Sequence, residues 1–252
     1  MIERKDDGPV AVLSMTHGPV NVMDLELVRA IAHTFTELAA DPPGAVVLTG
    51  SEHAFSAGVD LRRSIDGGAD YAREYLPALS AAFQAVFTFG APLVAAVNGH
   101  AIAGGCVLAN CADVRLMASG KARIGLPELA VGVAFPRVAL EIMMFALGAS
   151  SVGRLVRGAQ TYPPQRALEL GLVDDVVEPE RLVERAIEVA TQLATSIPAD
   201  AFALTKTYLR RQTVERIAQY RIDEDEPVAE VWIRHMNDGW VQRYLESVTR
   251  KG

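Results

Sequence analysis

Hydrophobic positions change period along this chain, and each change marks an element. Residues 9–15 (PVAVLSM) are apolar and partly alternating, which predicts a strand. From Asp24 the period lengthens. Leu25, Val28, Ala32, Phe35 and Leu38 or Ala39 fall on one helical stripe, with Asp24 as its N-cap. Asp41-Pro42-Pro43-Gly44 ends that helix, and residues 45–50 (AVVLTG) read as a buried strand. A second helix is expected over residues 70–89, interrupted near Pro77. A strand at 93–98, a short helix from Gly104 and a strand at 113–118 follow. The strands are apolar on both faces and alternate with helices, which points to an α/β domain with stacked sheets. Beyond Pro136 the pattern is mostly helical, with Gly148 and Gly171 as helix stops and one strand within residues 172–177. Residues 179–252 read as helices only. Trp232, Ile233, Trp240 and Leu245 are expected to be exposed there, on a terminal arm that packs against a neighbouring subunit.

Half of the 252 residues are hydrophobic, which excludes a disordered chain and suffices for one large domain or a core with a small appendage. Twenty-four Lys and Arg against 31 Asp and Glu leave a net charge of -7, so neither nucleic acid nor an anionic membrane is an expected partner. Residues 75–112 contain no Asp, Glu, Lys or Arg. Pro92, Asn98-Gly99 and Gly104-Gly105 cut that run into pieces too short to span a bilayer, and a buried strand–turn–helix is expected instead. Cys106 and Cys111 form no CxxC and have no histidine pair at ligand spacing. They read as buried thiols, with no disulfide, metal or redox cofactor implied. The opening MIERKDDGPV has no apolar signal core, and a cytoplasmic location is expected.

The signatures GxxxxGK[ST], GxGxxG after a strand, GxSxG and HExxH are all missing, and His17, His33, His53, His100 and His235 stand in unrelated contexts. Two glycine-bearing segments remain: AFSAGVDL (54–61) and VNGHAIAGGCVLANCADVRL (97–116). In each, a strand ends in a tight turn of small residues and a helix begins. Unsatisfied N–H groups at such helix starts carry partial positive charge. On spacing alone these turns read first as tight strand–helix packing; side by side, they also have the geometry to bind a developing oxyanion. Taken alone, Glu128 reads as a solvated loop carboxylate.

VVLTG, AFSAGVDL, AAVNGHAIAGGCVLANCADVRL, IGLPELAVGV and GLVDDVV, in this order and spacing, resemble the crotonase, or enoyl-CoA hydratase/isomerase, superfamily. The resemblance covers most of the chain. It implies a spiral core of repeated ββα units over residues 1–195 and a helical trimerisation region over 196–252, assembled as a homotrimer or a dimer of trimers. It also implies an acyl-CoA thioester substrate and no further cofactor. The thioester oxygen is then held by the backbone N–H groups of Val59 and Gly104, with Met23, Ala57, Asp60, Leu61, Ala103, Val107 and Pro127 around the substrate. Asp60 also reads as the cap of the following helix, and Arg62 and Arg63 either meet the CoA phosphates or lie on a solvated face. The superfamily's hydratases use two glutamates. Here the second is present as Glu128, in Gly125-Leu126-Pro127-Glu128, while the first position is Val107. Valine cannot carry a proton, so the resemblance favours the Δ3,Δ2-enoyl-CoA isomerase branch, in which a single carboxylate moves one proton. GPVNVMDLELV (18–28) points the same way, while Pro before Glu128 is closer to the hydratases. The alternatives are a hydratase with an atypical second acid, for which Asp113 and Glu141 are the available candidates, and a non-catalytic acyl-CoA-binding protein.

Overall fold

The apolar runs of the first half become parallel strands. The computed structural model describes residues 1–51 and 53–249 and arranges its strands in three sheets. In chain order the first elements are β1 (Ile2–Asp7), β2 (Val10–Met15), β3 (Val22–Met23), α1 (Leu25–Ala40), β4 (Ala45–Thr49), β5 (Ala54–Ser56), β6 (Gly58–Val59) and α2 (Leu61–Phe87). Next come β7 (Leu93–Val97), β8 (His100–Ile102), α3 (Gly104–Asn110), β9 (Val114–Ala118), β10 (Ile124–Gly125) and α4 (Glu128–Val131). The chain continues with α5 (Arg137–Leu147), α6 (Ala149–Gly158), β11 (Thr161–Tyr162), α7 (Pro164–Glu169) and β12 (Asp175–Val177), and closes with α8 (Leu182–Ser196), α9 (Ala199–Asn237) and α10 (Trp240–Thr249).

The main sheet has the order β1-β2-β4-β7-β9-β12, and every pair in it is parallel except β1 with β2. Side chains alternate across it. Val12, Val47, Val94 and Leu116 face α8 and pack on Leu182, Ala186 and Ala190. Leu13, Leu48, Ala95 and Met117 face the main core with α1, α2, α3 and α5. Cover on both faces explains why these strands read as unbroken apolar runs. A second sheet, β11-β10-β8-β5, and the pair β3-β6 stand beyond the ends of the main strands and carry the two small-residue turns.

Several expectations change. β1 (IERKDD) was not foreseen: it is an almost wholly exposed edge strand, so it carries no hydrophobic signal, and its charges protect the edge. The helix expected over residues 70–89 is continuous with the one expected after Asp60: it begins at Leu61, and the Asp60 carboxylate caps it by accepting from the Arg63 N–H. Its break lies at Gly68 (φ 58°, ψ −144°), which takes a backbone conformation open to glycine; Pro77 is accommodated within the helix. Trp232, expected on an exposed face, is buried, and its indole N–H donates to the Ala134 carbonyl at 2.7 Å. Trp240 is half exposed, as expected, whereas Leu245 is partly covered. Cys106 and Cys111 are free and buried. No described helix is long and apolar enough to cross a membrane.

Candidate active site

Two turns meet above the ends of the main strands. β6 runs parallel to β3, with Val59 opposite Met23, and the Asp60 N–H donates to the Met23 carbonyl. Successive N–H groups of a strand point to opposite edges, so the Val59 N–H faces away from β3. On that side lies the second turn. A Cβ on Gly58 (φ +80°) would stand 2.4 Å from the Ile102 carbonyl oxygen and 3.4 Å from the Gly104 nitrogen, so only glycine permits this approach. Ala103 holds the second turn in a strained conformation, φ 53° and ψ −119°, and its N–H donates to the Gly125 carbonyl at 2.8 Å. Gly104 is the first residue of α3, where no preceding helical carbonyl is available to its N–H. Gly105 fixes the depth of the helix, since a Cβ there would lie 2.4 Å from the Ser56 carbonyl oxygen.

The third component comes from β10, which pairs with β8 in parallel and delivers Leu126-Pro127-Glu128 to the same place. Glu128 opens the four-residue helix α4 and is only 7% exposed. Its Oε2 has no hydrogen-bond partner. Burial pushes the carboxyl up to about 8, against a smaller opposing effect from its own backbone N–H. Val107, on the first turn of α3, is fully buried.

These groups line one cavity of about 310 Å³. Of the residues that the resemblance placed around the substrate, Ala57, Val59, Asp60, Leu61, Ala103, Gly104, Val107, Pro127 and Glu128 all contribute to its wall. Met23 does not. It lies wholly buried beneath the second turn, with its Sδ 3.0 Å from where a Gly104 Cβ would stand, and so supports that turn from below. Among the described residues, Glu128 and Asp60 are the carboxylates on this wall, and Asp60 is engaged in capping α2. Arg62 reaches the cavity rim, whereas Arg63 is held by Asp24 and Glu26. The candidate substitute acids lie elsewhere. Asp113 pairs with Lys206 and Arg210 at 2.6 and 2.7 Å, and Glu141 pairs with Arg137 and Arg216. No group of three or more His, Cys, Asp or Glu that could hold a metal ion stands among the described residues.

The sequence reading missed the far wall. Phe135 precedes α5, Trp232 comes from α9, and Tyr244, Leu245 and Val248 come from α10. The terminal helix therefore covers the cavity of its own chain. No local pattern marks these wall residues: α9 ends at Asn237 and α10 starts at Trp240, so Trp232 and Tyr244 stand on separate helices. Burial raises the Tyr244 phenol above its ordinary range, and the Glu128 charge adds to that, which sets the two groups in one electrostatic environment.

Stacked parallel sheets with a terminal helical region make this a crotonase-fold protein, and the solved structures agree. The crystal structure of human mitochondrial delta3-delta2-enoyl-CoA isomerase superposes with a TM-score of 0.92 at 27% identity, covering 99% of this chain and 98% of that one. Residues 5–249 match the family model described as enoyl-CoA hydratase/isomerase; the chain belongs to that family and is an enzyme of it. Relatives of both activities stand at similar distance. Enoyl-CoA delta isomerase 1, mitochondrial, of Rattus norvegicus is 28% identical over 100% of this chain and 88% of its own length. Short-chain-enoyl-CoA hydratase of Clostridium acetobutylicum is 30% identical over 81% of this chain and 79% of its own.

Proposed function

We propose that the enzyme moves the double bond of a 3-enoyl-CoA into conjugation, giving 2-trans-enoyl-CoA. One observation carries this reading: Glu128 enters the cavity with Val107 on the same wall, where a hydratase of this family would place its first glutamate. Addition of water needs one group to activate it and another to orient it and manage the proton. A double-bond shift needs one carboxylate. Glu128 takes a proton from C2, the electron pair moves into a dienolate, and the same carboxyl returns the proton to C4. The charge on the thioester oxygen is met by the Val59 and Gly104 N–H groups, whose placement side by side supports this role. Losing one such donor typically lowers the rate by about 10² to 10³.

Burial suits the carboxyl to this work. A base of pKa about 8 is far stronger than an exposed glutamate, and it lies near the working pH. The base form is the ionised one, so turnover is expected to rise as pH passes through about 8. Tyr244 favours a second reading, because a hydroxyl on the cavity wall near Glu128 could orient a water for hydration. Supplying 3-enoyl-CoA and 2-enoyl-CoA separately decides between them. Conjugated product from the first, lost in Glu128→Gln, is the expected result. Efficient 3-hydroxyacyl-CoA formation from the second overturns the isomerase reading, and binding without turnover of either leaves a non-catalytic acyl-CoA-binding protein.

A further inference from the structure

Glu128 stands on a segment with little hold on itself. Its helix α4 is a single turn, ended by Gly132 in the left-handed region (φ 89°), and irregular chain follows as far as α5. The last carbonyls of a helix have no partner within it. Two carbonyls of this stretch are met from about a hundred residues away, both by tryptophan. The Trp240 indole N–H, from the start of α10, donates to the Ala130 carbonyl at 3.1 Å. The Trp232 indole N–H, from α9, donates to the Ala134 carbonyl at 2.7 Å. Trp240 also lies against Gly132, where a Cβ would stand 2.5 Å from its Cδ1. On its own side Trp240 is fixed by Asp238, whose carboxylate accepts from the Trp240 backbone N–H at 2.8 Å.

We propose that Trp240 is the positioning residue for Glu128: its N–H on Ala130 and its ring on Gly132 pin α4 to α10, with Trp232 holding the next stretch of chain at Ala134. The carboxyl depends on such a hold, because no side chain grips it. Its Oε2 has no partner, and burial is what raises its titration. Its place and its burial are therefore inherited from α4. The titratable groups around it, among the described residues, are the Cys106 thiol of α3, the Tyr244 phenol of α10 and, on the cavity wall, Asp60 and Arg62. Helix α6, which also packs on α4, adds no residue to that wall. The His235–Asp238 pair and Arg243 stand at the indole. Trp240 lies off the cavity wall and is half exposed, so its loss removes no substrate contact and leaves the core closed. The kinetic consequence rests on the reading that Glu128 moves the proton; the tie between the helices does not.

The test reads the Glu128 carboxyl in two ways. First, kcat/KM for 3-enoyl-CoA is followed against pH, which reports the free enzyme. With α4 loosened, water reaches the carboxyl, and the midpoint is expected to fall from about 8 in the wild type by about one pH unit or more in Trp240→Ala. Trp240→Phe keeps a ring on Gly132 and is expected to recover at least about half of that fall. Second, urea unfolding compares each background with and without Glu128→Gln, which needs no substrate and cancels the titration of His235 and Asp238. The pH dependence of that difference is expected to shrink by about a quarter or more in Trp240→Ala, one unit of the span from 4.5 to about 8. A Trp240→Ala protein that is less stable but keeps both readouts within about 0.3 pH unit of the wild type overturns the proposal, as does a Trp240→Phe protein that recovers nothing. A wild type that fails to turn over 3-enoyl-CoA overturns the isomerase reading instead, and the unfolding difference then decides the role of Trp240 by itself.

Discussion

Replacing Glu128 by glutamine removes one ionisable group from the cavity wall and keeps its shape, and the buried carboxyl allows the consequence for stability to be worked out. An unfolded-state glutamate titrates near 4.5, whereas in the folded chain burial holds the group at about 8. Below about pH 4.5 both states carry the proton. Between the two values the folded state keeps a proton that the unfolded state has released, so stability falls as pH rises. Above about 8 both states are ionised and the loss levels off. At about 1.4 kcal/mol per pH unit, the full loss approaches 5 kcal/mol, an upper figure for a group that water can reach on small openings. Glu128→Gln has no such dependence. Its buried amide lacks partners and costs about 1–3 kcal/mol, but by the same amount at every pH. Urea unfolding of both proteins between about pH 5 and pH 9 isolates the effect, because every other titrating group cancels in the difference. The variant is expected to gain at least 2 kcal/mol relative to the wild type across that range, with most of the gain complete by about pH 8. Curves that stay parallel within about 0.5 kcal/mol would refute the claim that this carboxyl is held in a water-poor site.

Three further substitutions probe the turns and the helical region. Gly104→Ala places a methyl 3.0 Å from the Met23 Sδ and 3.6 Å from the Phe83 ring. The flexible thioether can give way, so the variant is expected to fold and to lose about 10- to 100-fold in kcat/KM as its N–H shifts from the thioester oxygen, read by steady-state kinetics. Gly105→Ala instead drives a methyl to 2.4 Å from the Ser56 backbone oxygen, which cannot move without β5. It is expected to be destabilised by about 3 kcal/mol or more, measured by thermal or urea unfolding. Asp113→Asn strands the buried charges of Lys206 and Arg210, which pair with it at 2.6 and 2.7 Å. A loss of about 3–5 kcal/mol in urea unfolding, with kcat/KM on folded protein unchanged, is expected, since these groups lie off the cavity wall.

The sequence was legible where burial is continuous or where a turn demands small residues. β4, β7 and β9 announced themselves because both faces of the main sheet are covered, and the two turns did so because Gly58 and Gly105 stand where backbone approaches backbone. β1 was invisible because an exposed edge strand buries almost nothing. Trp232 was misjudged for the opposite reason. Its neighbours on α9 are largely polar, and burial is decided by contacts with Ala134 and Tyr75, about a hundred and more residues earlier, which no local pattern reports. The same holds for the cavity's far wall. Local patterning located the two turns and the glutamate, while the identity of the residues facing them depends on where a long helix returns.

That return bears on the chemistry as much as on shape. An exposed glutamate near 4.5 is ionised at neutral pH but is a feeble base toward a carbon acid. Raising it to about 8 increases its proton affinity by some three orders of magnitude while leaving about a tenth of the molecules ionised at pH 7. The exchange is favourable only if the negative charge, once passed to the substrate, finds better company than it had on the carboxylate. In the proposed reaction it does, because the thioester oxygen lies against two main-chain N–H groups while Glu128 Oε2 has no partner at all. Val107, Tyr244 and Leu245 line the same cavity, and Glu128 itself is only 7% exposed. A second carboxylate at position 107 would work against it, repelling the developing charge and drawing water in. In the proposed reaction the valine is therefore more than a missing acid: it adds to the burial that raises the Glu128 carboxyl, which then acts alone.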